Sequence, residues 1–224
     1  MFETLRLSDL DKQRCQTLRE TSNTRPGLWI VEENSVRAVV KDFSTKGFLF
    51  RNTAGRFLVW REEKAYRKLQ SIRSIPRLYR NIQGLALVME EVQGRDGEAF
   101  HGFEQLPEDF FHELRKVVSD IHRCGLAHCD LKTASNILVD REGKPALIDW
   151  GASISEREFR FFPLNLIYRR FVKDDLMAII KLQLRLDPDS VSPEEKRLYY
   201  QRSRLETLAR ALRDKLRVLL KRVA

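Results

Sequence analysis

The chain reads as an α+β protein, on three observations. Up to residue 91, short apolar runs alternate with turn residues, as in antiparallel strands. Stretches at about 55–71 and 107–124 instead carry apolar residues at helical intervals. Between residues 125 and 153, two more short apolar runs flank a turn-rich pentapeptide, so strand character returns once inside a helical region. With 224 residues the chain can bury a substantial core, in one lobe or two.

Taken in order, Arg14–Leu18 is a first strand, and residues 21–27 are a polar turn segment ending in Pro26-Gly27. Leu28–Val31 and Val36–Val40 are paired strands around a turn at Glu33-Asn34, the second ending in Lys41. The helix at about 55–71 carries Leu58, Ala65, Tyr66 and Leu69, and Ile75-Pro76 stops it. Leu78-Tyr79 and Leu85–Val88 form another strand pair around the Asn81–Gly84 turn. Residues 94–107 are a loop or short helix. After Pro107, acids open a strongly amphipathic helix bearing Phe110, Phe111, Leu114, Val117, Val118 and Ile121, and Gly125 suits its C-terminal cap. A short mixed segment, 156–170, precedes a helix at about 174–185. From Ser192 onward a helix or helical pair carries a leucine stripe (Leu205, Leu208, Leu212, Leu216, Leu219) among arginines and lysines. Such a stripe packs on its own domain or lies on an anionic membrane surface, and the packed arrangement is the commoner.

The composition, 42% apolar and 33% charged, is that of a globular chain. No apolar run is long enough to span a bilayer, and the N-terminus lacks a signal-peptide core. Cys15, Cys124 and Cys129 are an odd three without metal-ligand spacing, which disfavours zinc and fits a reducing cytoplasm. The net charge of +9 points to an anionic partner: nucleotide, nucleic acid, phosphorylated sugar or membrane surface. The basic residues are not interleaved with aromatics in a recognisable module, so no specific nucleic acid is expected.

The chemistry concentrates in Gly125–Ser153, GLAHCDLKTASNILVDREGKPALIDWGAS. A hairpin through Asp140–Lys144 joins Ile137–Val139 to Ala146–Ile148 and brings Asn136 and Asp149 to the same end of two paired strands. Two oxygen ligands at one spot suit a hard cation such as Mg²⁺ that also holds phosphates. Asp130, earlier on the same loop, is then placed to face an incoming hydroxyl.

His128-Cys129-Asp130-Leu131 with Asn136, followed by Asp149-Trp150-Gly151, resembles the catalytic core of the protein-kinase-like superfamily. Two positions depart from the pattern. Cys129 stands where the family has Arg, so no phosphate-ordered activation loop is expected, and Asn136 lies one residue late, requiring a bulge or help from Ser135.

The resemblance implies a two-lobed fold: a small antiparallel-sheet lobe over 1–91 and a short helical lobe over 92–224, with ATP in the cleft between them. Ala38-Val39-Val40-Lys41 is similar to the strand whose Lys holds the α- and β-phosphates. Its partner would be Glu62 or Glu63, with Glu62 the better match. Residues 21–27 take the place of the glycine-rich phosphate loop with only Gly27 present. Val88–Gly94 resembles the hinge, with Met89 as gatekeeper and the backbone of Glu90 and Val92 against adenine. Asn136 and Asp149 would hold Mg²⁺, Asp130 would take the acceptor's proton, Lys132 would neutralise the γ-phosphate, and Asp175 would brace the catalytic loop.

The expected activity is therefore transfer of the γ-phosphate of ATP to a hydroxyl of an anionic acceptor. The chain is similar in size and layout to bacterial lipopolysaccharide-core sugar kinases and to RIO-type atypical kinases. The missing peptide-docking segment and the basic terminal stripe favour a glycolipid acceptor at the cytoplasmic face of the inner membrane. A protein serine or threonine is the alternative, and a nucleotide-binding pseudokinase a third.

Overall fold

The computed structural model describes residues 2–10, 12–22, 25–96 and 106–201. It shows the two-lobed α+β architecture. The first lobe is a five-stranded antiparallel sheet of β1 (Arg14–Arg19), β2 (Gly27–Glu33), β3 (Val36–Asp42), β4 (Leu78–Ile82) and β5 (Ala86–Glu90), in the order β1-β2-β3-β5-β4. Asn34 and Ser35 both have positive φ, so β2 and β3 are joined by a two-residue turn whose twist matches that of the strands. A short turn, α1 (Phe48–Phe50), runs through a π-helical segment into α2 (Arg56–Leu69), which crosses the inner face of the sheet.

The sheet is buried on both sides. On the outer face, Trp29, Val31, Val40 and Val88 are covered by Phe2, Leu5 and Leu10 of the N-terminal segment. On the inner face, Leu87 and Met89 join Val59, Tyr66 and Leu69 of α2 in a cluster that continues into the second lobe. The main core thus runs across both lobes and fixes the cleft walls relative to one another.

In the second lobe, α3 (Phe110–Arg123) buries all six of its expected apolar residues. Gly125, at φ 66°, follows the helix end, where a residue without Cβ meets no steric penalty. Then come β7 (Leu126-Ala127), the hairpin of β8 (Ile137–Asp140) and β9 (Pro145–Leu147), and β10 (Ile154-Ser155) against β7, while β6 (Gly94–Asp96) lies beside β8. Asp140 shapes the hairpin turn, its Oδ1 accepting from the amides of Glu142 and Lys144, both at 2.8 Å. Two helices close the lobe: α4 (Leu164–Leu186) and α5 (Pro193–Tyr200).

The helix expected at about 174 begins ten residues earlier, at Leu164. Its first turns expose Leu164, Leu166 and Ile167 and bury Tyr168, so their apolar residues trace no clear inward stripe. The leucine stripe of 205–223 lies outside the described residues. No described helix is long and apolar enough to cross a membrane.

Candidate active site

Lys41 sits at the end of β3, where the strand feeds its side chain inward under α2. Its Nζ lies 2.7 Å from Glu62 Oε2 and 2.9 Å from Asp149 Oδ1. Glu62 is 1% exposed, so helical phase decides between the two glutamates. Glu63 points away, 2.7 Å from Arg67 and hydrogen-bonded to Asn81. Burial alone would pull the Lys41 ammonium towards neutrality, but Glu62 and Asp149 outweigh it and hold the pKa above the ordinary lysine value. Burial likewise pushes the Asp149 carboxyl up, and the charge and hydrogen bond of Lys41 bring it below its usual range. Both groups are therefore charged at neutral pH.

Asp149 is in the left-handed region at φ 65°, and its carboxylate accepts from the Gly151 amide at 3.4 Å. Trp150 turns inward, fully buried, with its ring 4.5 Å from that of His128. His128 Nε2 donates to the Ile148 carbonyl at 3.0 Å, and the Asp130 amide reaches its Nδ1 at 3.4 Å, which fixes a neutral Nε2–H tautomer. Burial holds the imidazole below the ordinary histidine pKa, in agreement with that tautomer.

The loop from His128 to Asn136 is pinned from below by Asp175. This carboxylate, 1% exposed, accepts from the amides of His128 (2.8 Å) and Cys129 (2.9 Å) and meets His122 Nε2 at 3.1 Å. Since α4 starts at Leu164, Asp175 lies inside the helix and is no capping acid. His122, on α3, is a contributor that sequence reasoning missed. Its place in the last turn of a helix gave only a generic signal.

Asp130 is oriented by two donors: Thr133 Oγ1 to Oδ1 at 2.9 Å and Asn136 Nδ2 to Oδ2 at 3.3 Å. The extra residue before Asn136 is taken up by a 3-10 turn, Ala134–Asn136. Asn136 Nδ2 also donates to the Asp130 carbonyl at 3.0 Å, and the Asn136 carbonyl accepts from the Ile148 amide at 3.1 Å. With its nitrogen committed to Asp130, the side-chain oxygen of Asn136 is the atom open to a cation. The hairpin thus brings Asn136 and Asp149 together, as expected. Lys132 is exposed beside this loop. Thr133 is a second residue missed in the sequence, where a hydroxyl after Asp-Leu-Lys looks like any loop threonine.

A cavity of about 640 Å³ opens above Lys41 and Asp149. Leu28, Val39, Met89, Leu138 and Ile148 wall it with apolar surface, and Glu90, Glu91 and Val92 form one edge. Such a slot fits a flat heterocycle with phosphates pointing towards Lys41. Ser135 and Asn136 line it, whereas Asp130 joins it only through Asn136. Gly27 does not line it. It pairs with Asp42 at the start of β2, and a Cβ there would lie 2.2 Å from the Trp29 ring, so its small size serves packing.

Among the described residues no three His, Cys, Asp or Glu converge on one point. A metal here would rest on the Asp149 carboxylate, the Asn136 amide oxygen and substrate phosphates. This donor set suits Mg²⁺, which is held by few protein oxygens and shares phosphates and water.

A family model for the RIO domain matches residues 41–164. Among solved structures the chain is similar to the Rio2 kinase from Chaetomium thermophilum, at 15% identity and a TM-score of 0.60. That match covers 86% of this chain and 65% of the other. The Rio2 kinase-ADP/Mg²⁺-phosphoaspartate complex from Chaetomium thermophilum matches at 16% identity and a TM-score of 0.57, over 86% and 63% of the two chains. The chain therefore spans slightly under two thirds of the length of these structures. The comparison with curated proteins gives no match.

Proposed function

The chain belongs to the RIO domain family, and on that premise we propose that it is an ATP-dependent phosphotransferase acting on a hydroxyl. One observation carries the proposal: a buried lysine held between two carboxylates, 2.7 and 2.9 Å away, at the floor of an apolar-walled cavity. Desolvation offsets most of what a buried ion pair contributes to stability, so stability alone does not account for this one. Here Lys41 presents a fixed positive charge where phosphates would lie.

The residues then divide the work. The apolar walls take the base, and Met89 backs it. Lys41, kept in place by Glu62, holds phosphate oxygens. Asp149 and Asn136 would hold Mg²⁺, which when bound offsets the negative charge of the phosphates. Asp130, oriented by Thr133 and Asn136, accepts the proton of the attacking hydroxyl. Lys132, free to swing from the loop, neutralises charge on the transferred group.

For the acceptor, family membership favours a protein side chain. A second reading has its own observation: residues 152–163 between Gly151 and α4 are a short span with no extended platform for a peptide. That favours a compact acceptor such as a sugar hydroxyl of an anionic lipopolysaccharide or other glycolipid.

The test is transfer of labelled γ-phosphate from Mg-ATP into cytosol and cell-envelope extracts, with Asp130→Asn alongside. Asp130-dependent label in protein supports the first acceptor, and label in glycolipid the second. ATP binding without Asp130-dependent label in either fraction refutes the phosphotransferase and leaves a nucleotide-binding pseudokinase.

A further inference from the structure

The outer face of α2, opposite Glu62, exposes large apolar side chains. Phe57 and Trp60 are each 51% exposed, with ring centroids 5.8 Å apart. Each is flanked by a cation one turn on, with Arg61 Cζ 5.5 Å from the Phe57 ring and Lys64 Nζ 5.1 Å from the Trp60 ring. The same two cations bind Glu158, at 3.0 and 2.9 Å. Glu158 thereby ties the 3-10 turn Glu156–Phe159 to α2 and sets the following residues beside it. There Phe161 and Phe162 are 68% and 79% exposed, and Arg160 Cζ lies 4.9 Å over the Phe161 ring.

We propose that this aromatic and basic face docks on an anionic lipid bilayer. Aromatic rings interleaved with Arg and Lys suit the headgroup boundary, where rings enter the apolar edge and cations meet lipid phosphates. Charge complementarity selects this occupant. On the face itself Arg61, Lys64 and Arg160 outnumber Glu158, the acid that two of them share, which leaves it net positive. A second copy presenting the same face would bring two net-positive surfaces together, which like-charge repulsion opposes. The surface differs from the leucine stripe of 205–223 and does not depend on which acceptor is used.

The chain supplies its own reporter. Of its three tryptophans, Trp29 and Trp150 are buried and Trp60 is exposed. Full-length protein would be mixed with phosphatidylglycerol-containing or pure phosphatidylcholine vesicles, without nucleotide. Flotation would be read together with tryptophan emission and acrylamide quenching. Binding to the anionic vesicles alone is expected, with emission shifted to the blue and Trp60 shielded from acrylamide. Trp60→Phe should bind but lose that shift, and Phe161→Ser/Phe162→Ser should weaken binding about tenfold or more. No binding to anionic vesicles overturns the proposal. So does binding with Trp60 still quenchable, or unchanged binding by the double variant, since either places contact elsewhere. Trp60 shielded before vesicles are added, with a dimeric mass, would show that a second copy covers the face and would also overturn it.

Discussion

Replacing Asp175 by Asn is the sharpest test of how the site is held. The carboxylate serves three donors at 2.8, 2.9 and 3.1 Å, using both oxygens, in a fully buried position. Asn keeps one acceptor oxygen and turns an NH₂ towards either the His128 or the Cys129 amide. At least one buried backbone N–H then meets a donor, and His122 loses its anionic partner. Losing a hydrogen bond to a charged acceptor and orphaning a buried amide together cost about 3–5 kcal/mol. Against a typical domain stability of about 5–15 kcal/mol this is a large shift. Urea denaturation of Asp175→Asn should show it, with Asp174→Asn as control. Asp174 is exposed and pairs with Arg170, so its loss should cost no more than about 1 kcal/mol. Asp130 hangs from the same loop, so phosphoryl transfer should fall about 100-fold as well, since small misplacements of a catalytic group are costly. Equal denaturation midpoints for the two variants would refute the bracing role.

Three further outcomes follow from the same geometry. Glu62→Gln should lower kcat/KM at least about 100-fold in ATP turnover assays, whereas Glu63→Gln should stay within about twofold, because its partners, Arg67 and Asn81, do not line the cavity. Stability should fall on acidification through His128. Its folded pKa is depressed by burial, so below the ordinary value of about 6.5 the unfolded chain binds the proton first. That contribution is complete above the unfolded pKa and is lost as pH falls towards the folded one, with a slope of at most about 1.4 kcal/mol per pH unit. His128→Gln should flatten this part of a urea-midpoint series, and an unchanged slope would contradict the assignment. Gly27→Ala should destabilise by about 1–3 kcal/mol as the new methyl meets Trp29, with nucleotide affinity by equilibrium titration unchanged.

Most elements were legible because each is written locally. The strands follow period two, α2 and α3 follow period 3.6, and Asn34, Gly84 and Gly125 sit where the backbone needs positive φ. What escaped depends on contacts distant in sequence or on packing without a period. His122 meets Asp175 from 53 positions away, and Lys41 meets Asp149 from 108 away. The start of α4 was hidden because its first turns expose their leucines. Gly27 was misplaced because a lone glycine after a polar loop looks the same whether it covers phosphate or makes room for a ring.

The choice between Glu62 and Glu63 marks the border between these cases. Val59, Ala65, Tyr66 and Leu69 are all buried, and they place position 62 on the same side of α2. A carboxylate in the middle of such a row must find a cation or be expelled, because an unpaired buried charge is too costly to keep. Lys41, at the end of an apolar strand, has the complementary problem. Each residue alone reads as an ordinary surface charge. Together, on two elements whose other neighbours are buried, they require one another, and that requirement fixes the height of α2 over the sheet and so the floor of the cleft.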